Sequence, residues 1–166
     1  MTDKFAEFLK TASQLNKIGI VPLLMGSLGL EQVTDQDWQA RDIGIHVHGD
    51  ERGWEAPDEE RIYDMDKIEP MMERLGYRLV DLHEHEFQKE DLSIEFGVME
   101  TLEPFSGVPI AELSRKEVEG AELLLPTAEQ FLAIYRASSQ DSYRNENNNH
   151  KDFAKIAYLE EMLKAK

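Results

Sequence analysis

The chain has 166 residues, a length that fits one domain with a substantial core. It contains no cysteine, which excludes disulfides, thiolate metal sites and a cysteine nucleophile. Thirty-four acidic and 18 basic residues give a formal net charge of −16, so the surface repels nucleic acid and anionic membranes, and we expect a soluble cytoplasmic protein.

The first part of the chain predicts one helix and two strands. Apolar residues at helical spacing up to residue 18 predict an amphipathic helix with Thr2 as its N-cap, too polar for a signal peptide. The apolar run IVPLLM, residues 20–25, predicts a buried strand, and the following GSLG predicts a turn. Alternation in DIGIHVH, residues 42–48, predicts a second strand.

The middle of the chain predicts a helix and further strands. A helix is expected over residues 66–75, after a charged loop. Residues 77–102 predict two strands joined by a tight polar turn at Lys89–Asp91. Weaker strand signals follow near residues 108–110 and 122–125.

The end of the chain predicts two helices. Thr127 and Gln130 form a capping box that opens the first of them. The second helix starts near residue 150, with four apolar side chains expected to face inward: Phe153, Ile156, Leu159 and Leu163. The element order predicts an α/β fold of the α+β type, in which a mixed sheet carries packed helices. We expect residues 1–125 to form the α/β core and residues 126–166 a helical segment packed on it as one compact unit.

Several short motifs occur in an order that resembles the polymerase-β-type nucleotidyltransferase superfamily, in particular its small bacterial members. A Gly-Ser turn follows a strand, Asp42 opens the next strand, and Glu95 lies on a later strand. The segments LPTAEQFLAIYRAS and HKDFAKIAYLEEML resemble the helical tail of those proteins. The resemblance covers residues 20–163 and implies a nucleotidyltransferase-like fold.

The resemblance also implies a role for each matching residue. Gly26 and Ser27 would bind nucleotide phosphates through backbone N–H groups and a hydroxyl. Asp42 would be the first metal-binding carboxylate, and Glu95 a catalytic acid that orients or activates the attacking hydroxyl. Both would hold magnesium, the implied cofactor. Basic residues of the tail would reach the triphosphate: Lys151, Arg136 and Arg144.

The sequence departs from the family pattern at Gly44. Two residues after Asp42, on the same face of the strand, the pattern has a second aspartate that grips the same metal. Glycine has no side chain, which predicts a degenerate site with weakened or lost transfer chemistry. The same residues also have structural interpretations, because a Gly-Ser pair is an ordinary turn, Glu95 can face solvent, and Lys151 can simply begin a solvated helix.

Two His-x-His pairs suggest a different metal site. His46 and His48 lie on the strand of Asp42, and His83 and His85 lie in the DLHEHEF segment, which is expected to be a groove-lining strand with Phe87 as a stacking surface. Four imidazoles with Asp42 and Glu95 form a ligand set for zinc. Histidines two residues apart on a strand need an independent third ligand, which argues against zinc.

Three functions therefore stay open. The first is a nucleotidyltransferase-like protein that binds a nucleotide or other small molecule with weakened or lost transfer activity. The second is an active magnesium-dependent enzyme that modifies a small hydroxyl- or amino-bearing substrate. The third is an acidic protein-interaction module without a ligand.

Overall fold

The computed structural model describes residues 3–140 and 151–165. Six α-helices occur in this part of the chain: α1 (Lys4–Lys17), α2 (Gly26–Thr34), α3 (Met65–Arg74), α4 (Leu102–Ser106), α5 (Ala128–Ser139) and α6 (Lys151–Lys164). Seven strands accompany them: β1 (Leu23–Met25), β2 (Ile43–Val47), β3 (Arg78–Asp81), β4 (Glu86–Lys89), β5 (Leu92–Val98), β6 (Ser114–Val118) and β7 (Ala121–Leu125).

The strands form one mixed sheet in the order β3-β4-β5-β2-β1-β7-β6. The central strands β2 and β5 are parallel, and β1 pairs antiparallel with β2 but parallel with β7. The helices pack on this sheet, with α1 against β7, α2 against β1 and β2, and α5 against both α2 and α6. The predicted α/β fold with a mixed sheet and packed helices is confirmed. None of the helices in the described ranges is both long enough and apolar enough to cross a membrane.

Alternation along β2 and β5 separates a core face from a polar face. Ile43 and Ile45 are fully buried, and they pair in register with Ile94 and Phe96 on β5. Because successive strand residues point to opposite faces, Gly44 and its neighbour Glu95 lie on the other face. The apolar face thus holds the sheet to the core, and the polar face is left for the site.

Local capping signals in the sequence are largely confirmed. Both hydrogen bonds of the capping box are present at the start of α5, since Thr127 Oγ1 accepts from Gln130 N–H and Gln130 Oε1 accepts from Thr127 N–H. The N-cap of α1 is Asp3, whose carboxylate accepts from the N–H groups of Phe5 and Ala6. The predicted cap, Thr2, lies outside the described residues.

Three predicted elements differ from the observed ones. GSLG does not form a loop between two strands but begins helix α2. The helix follows β1 directly because Gly26 adopts a φ of +70°, which glycine tolerates. The first strand expected in residues 77–102 is split into β3 and β4 by a turn at residues 82–85, where His85 has a φ of +51°. The strand expected near residues 108–110 is absent from the described chain, and β6 begins at Ser114 instead.

The inward faces of two apolar segments also differ from prediction. Phe153 on α6 is 48% exposed, whereas Leu159 is fully buried as expected. The buried face of α6 is shifted because it also carries two polar residues, Asp152 and Lys155. Phe87 is fully buried against Phe96, with ring centroids 5.7 Å apart, so it is a core residue and not a stacking surface.

Candidate functional site

A cleft of about 580 Å³ lies where β1, β2 and β5 approach α6. This volume is within the range of small-molecule binding sites. Four predicted site residues line it together: Gly26, Ser27, Asp42 and Glu95. They come from the start of α2, the residue before β2, and β5, so the fold unites residues that are separated by up to about 70 positions in the chain.

The start of α2 supplies the Gly-Ser part of the cleft. The N-cap residue of this helix is Met25, whose side chain makes no capping hydrogen bond. The first N–H groups of any helix have no intrahelical acceptor, and such groups favour an anion. A Cβ placed on Gly26 would meet no atom within 4 Å, which shows open space beside its backbone. Gly29 lets the helix pack close to β1, since a Cβ there would lie 2.9 Å from the carbonyl oxygen of Leu24.

Lys155 is the basic residue that α6 brings to this turn. Its Nζ donates a hydrogen bond of 2.8 Å to Ser27 Oγ, and it lies 4.8 Å from the ring centroid of Tyr135. The residue is only 9% exposed. Asp152, one turn earlier on α6, is fully buried, lines the same cleft, and accepts a hydrogen bond of 2.7 Å from Ser138 Oγ. A buried cation is therefore fixed beside the start of α2.

The carboxylates lie across the central strands. Glu95 is the register partner of Gly44 on one side and of Glu86 on the other. Burial raises the pKa of Glu95 to about 7, and the negative charges of nearby acids add to this effect: Asp42, Glu86, Glu84 and Asp81. Burial and Glu86 also raise the pKa of Asp42, although Arg41 and Lys4 oppose the shift. Glu95 thus titrates near neutral pH.

The donor set at this position fits a hard divalent cation such as magnesium. Asp42 and Glu95 offer carboxylate oxygens, the ligands that Mg²⁺ prefers, and a cation would relieve the repulsion that raises the pKa of Glu95. Gly44 has no side chain and so adds no oxygen ligand. A side chain would fit at this position, because a Cβ there would lie 3.7 Å from the carbonyl oxygen of Met25, an ordinary contact distance. Across residues 3–140 and 151–165, no group of three or more His, Asp or Glu side chains is placed to hold a metal ion. The two carboxylates are therefore a sparse ligand set.

The four histidines of the His-x-His pairs are not brought together. His46 packs on Gly97, and burial lowers the pKa of His46 to about 4, so its ring is neutral at pH 7. His48 Nδ1 pairs with Glu100. The histidines of the other pair lie in the turn between β3 and β4, not on a strand: His83 pairs with Asp58, and His85 is buried against Arg61 and the backbone of Asp58. The two pairs thus have different partners, although His83 and His85 both contact Asp58.

The basic residues predicted from the helical tail are distributed differently. Arg136 does not line the cleft but forms an exposed ion pair with Glu160, 2.8 Å apart, between α5 and α6. Arg144 lies outside the described residues. Lys151 is the first residue of α6, and its side chain is not among those described. Lys155, four residues later on that helix, lines the cleft.

Sequence reasoning missed two groups of cleft residues. Asp152 and Lys155 could have been identified together from their spacing, because residues three positions apart share one face of a helix. The second group lies between α2 and β2 and comprises Trp38, Gln39 and Arg41. In the sequence, the aromatic residue Trp38 and the basic residue Arg41 come shortly before Asp42, the candidate catalytic residue.

Comparison with solved structures supports this fold. The chain is similar to the crystal structure of ANT(2″)-Ia in complex with adenylyl-2″-tobramycin, with a TM-score of 0.61 and 10% identity over 98% of this chain and 90% of that one. A solution structure of ANT(2″)-Ia matches with a TM-score of 0.57 and 13% identity, covering 98% of this chain and 86% of that chain. At these identities the likeness establishes the fold, which is nucleotidyltransferase-like.

Comparison of sequences identifies a bacterial relative. The uncharacterized protein YnaI of Bacillus subtilis (strain 168) is 39% identical over 163 residues, covering 96% of this chain and 97% of YnaI. No family model matches the chain.

Proposed function

The chain belongs to one family with Bacillus subtilis YnaI, and we propose that it is a nucleotidyltransferase-like protein that binds a nucleotide in the cleft between β1, β2, β5 and α6, with weakened or lost transfer activity. The similar ANT(2″)-Ia structure contains a nucleotide-modified small molecule, which is consistent with a small-molecule ligand here.

The observation that carries this proposal is the hydrogen bond from Lys155 Nζ to Ser27 Oγ. It holds a buried ammonium group beside the first turn of α2, whose first N–H groups have no acceptor within the helix and favour an anion. The charge of Lys155, which also lies against the Tyr135 ring, and the hydroxyl of Ser27 are thus both presented at the start of this helix. A phosphate bound there would contact Ser27 and Lys155 together.

Weak transfer chemistry follows from the carboxylates. Asp42 and Glu95 would hold magnesium, which when bound supplies positive charge to the reacting phosphate. Gly44 occupies the register position beside Glu95 and offers no further ligand. Nucleotidyl transfer depends on clustered carboxylates that fix their cations with precision, so we expect binding to persist while turnover is slow or absent.

The test is a matched pair of lysine variants on α6. Lys155→Met should weaken ATP binding about tenfold or more, because a charge-assisted bond to phosphate is lost. Lys164→Met removes an exposed lysine of the same helix, paired with Glu161, and should leave ATP affinity unchanged. Calorimetric titration with ATP and magnesium measures both. Ser27→Ala is the second cleft variant if Lys155→Met does not fold. Absence of saturable ATP binding to the parent protein would contradict the proposal and favour an acidic interaction module.

A specific observation favours active transfer as the second candidate. Glu95 has a pKa of about 7, as a general base at neutral pH requires, and lies in the same cleft as Asp42. In such a reaction an acceptor hydroxyl oxygen would form a bond to the α-phosphorus of a nucleoside triphosphate. The bond from that phosphorus to the bridging oxygen would break, pyrophosphate would leave, and Glu95 would take the hydroxyl proton. Release of pyrophosphate from ATP with a panel of small hydroxyl- and amino-bearing acceptors would establish this candidate, provided that Glu95→Gln abolishes it.

A further inference from the structure

The segment between α2 and β2 contributes an aromatic side chain, Trp38, to the lining of the cleft. The backbone N–H of Trp38 donates to Glu31 Oε2 at 2.8 Å, and its indole Nε1–H donates to Thr34 Oγ1 at 3.0 Å. The ring of Trp38 stands at 85° to that of Tyr158 on α6, with centroids 5.5 Å apart. These contacts fix the ring before any ligand binds, which reduces the entropy lost on binding.

Trp38 and Lys155 line the same cleft, so they can contact different parts of one ligand. Lys155 and Tyr158 are three residues apart on α6, which is a rise of about 4.5 Å along the helix. The Trp38 ring contacts Tyr158, about one helical turn beyond the lysine whose Nζ is bonded to Ser27, and it lines the same cleft. A nucleotide with its phosphates at Ser27 and Lys155 would therefore occupy a cleft that this ring also lines.

The chemistry of the remaining lining is consistent with that direction. Asp42 and Glu95 are acidic and favour cationic groups, not the face of a neutral ring. Within the described residues that line the cleft, Trp38 is the aromatic one. Every nucleobase has a flat π-surface, and stacking on an aromatic side chain is a general way to bind it.

We propose that Trp38 binds the nucleobase by stacking and so determines how much more tightly the cleft binds a nucleotide than a bare phosphate chain. This inference rests on the proposed nucleotide-binding function. It assigns the phosphates to Ser27 and Lys155 and the base to Trp38, and it makes the two contributions separable by experiment.

The experiment compares ATP with inorganic tripolyphosphate, both with magnesium, by calorimetric titration of the full chain. Trp38→Ala should weaken ATP binding at least fivefold, equivalent to about 1 kcal/mol, and leave tripolyphosphate affinity unchanged. Trp38→Phe keeps an aromatic face and should retain most of the affinity. Trp54→Ala is the matched control, because Trp54 is the other tryptophan, is 62% exposed and does not line the cleft.

A fluorescence measurement gives an independent readout. In a Trp54→Phe variant, Trp38 is the single tryptophan of the chain. ATP should quench its emission and tripolyphosphate should not. Thermal melting of each variant verifies that it folds. If Trp38→Ala does not fold, the fluorescence comparison in Trp54→Phe still tests the proposal, because it leaves Trp38 in place.

The outcomes separate the two proposals. Binding of tripolyphosphate and ATP with equal affinity, or ATP affinity unaltered in Trp38→Ala, would overturn the role of Trp38 and leave the phosphate site intact. Failure of the parent protein to bind either compound would overturn the nucleotide-binding function and the Trp38 subsite with it.

Discussion

Gly44 on β2 is the direct register partner of Glu95 on the parallel strand β5. The residue next to the most perturbed carboxylate of the cleft therefore has no side chain, and Glu86 flanks Glu95 on its other side. The polar face of the sheet therefore carries acids at Asp42, Glu86 and Glu95, but Gly44, which lies among them, contributes none. The chemistry of the cleft depends on that position, and so does the first prediction.

Replacing Gly44 with aspartate should add a further carboxylate beside Asp42 and Glu95 without a steric clash, because a Cβ there meets Met25 only at 3.7 Å and beyond. Without metal, repulsion from Asp42 and Glu95 should make Gly44→Asp less stable than the parent. With magnesium, and with ATP at about a hundred times its Kd, the variant should gain about 5–10 °C in melting temperature, which is more than the parent should gain. Thermal shift assays measure both effects.

Gly44→Asn is the control for that experiment, since it has nearly the same shape but no charge. It should show neither the repulsion nor the added magnesium response. A parent protein that already shows a large magnesium-dependent shift and turnover would contradict weakened chemistry. A Gly44→Asp variant indifferent to magnesium would show that Asp42 does not belong to a metal site.

The raised pKa of Glu95 predicts a pH-dependent stability in metal-free buffer. The folded protein keeps the Glu95 proton up to about pH 7, whereas the unfolded chain loses it near pH 4.5. The contribution of Glu95 to stability therefore falls as pH rises from about 4.5 to about 7 and is constant above that. Glu95→Gln removes this loss, so it should be more stable than the parent at pH 8 and similar at pH 4.5.

The expected gain at pH 8 is on the order of 1 kcal/mol, or about 2–4 °C, after allowance for solvent screening of a partly buried group. Melting curves from pH 4.5 to 8 measure it. A constant difference between Glu95→Gln and the parent across this range would mean that Glu95 titrates normally.

A buried network that connects α1 with β4 predicts the opposite pH dependence. Glu7 on α1 is 6% exposed and accepts hydrogen bonds from Tyr77 Oη at 3.0 Å and Lys89 Nζ at 3.3 Å. Burial alone would raise the pKa of Glu7, but the hydrogen bonds from Tyr77 and Lys89, together with Lys10, lower it below its usual value. This contribution to stability is present above pH 4.5 and is lost as pH falls through the folded-state pKa.

Tyr77→Phe should therefore cost about 1.5–3 kcal/mol at pH 7, the value of a hydrogen bond to a charged group. The difference from the parent should shrink as pH falls below 4.5. Urea denaturation at pH 7 and at pH 3 measures it. The same cost at both pH values would assign the effect to packing of the hydroxyl and not to the Glu7 charge.

Gly29 is predicted to control the geometry of the cleft through packing. A Cβ at this position would lie 2.9 Å from the Leu24 carbonyl oxygen and 3.0 Å from the Phe131 ring, so α2 would have to move away from β1 and α5. Gly29→Ala should destabilise the protein by about 1–3 kcal/mol, although alanine is the better helix former. It should also weaken ATP binding, because Ser27 lies on the same helix.

Urea denaturation and calorimetric titration measure the two effects of Gly29→Ala. The matched control is Gly107→Ala, because Gly107 is exposed and a Cβ there meets no atom within 4 Å. Gly107 has a φ of +79°, so its substitution tests backbone strain without crowding and should not affect ATP affinity. Stability and binding unchanged in Gly29→Ala would contradict the close packing of α2.

The sequence by itself determined the structural features that depend only on residues close together in the chain. The capping box of α5 needs only Thr127 and Gln130, and the alternation of β2 needs only the period of a strand. The resemblance of the Gly-Ser pair, Asp42 and Glu95, in that order, to the polymerase-β-type nucleotidyltransferases predicted the nucleotidyltransferase-like fold.

Only the tertiary structure decided which distant residues meet. Lys155 reaches Ser27 across 128 positions, and Gly44 becomes the neighbour of Glu95, because strand pairing and helix packing are set by the whole core. The periodicity of α6 was visible in the sequence, but its inward face was not, since the cleft keeps Asp152 and Lys155 buried while Phe153 stays exposed. A single sequence records the spacing of side chains along one element, whereas a site is made where several elements pack together.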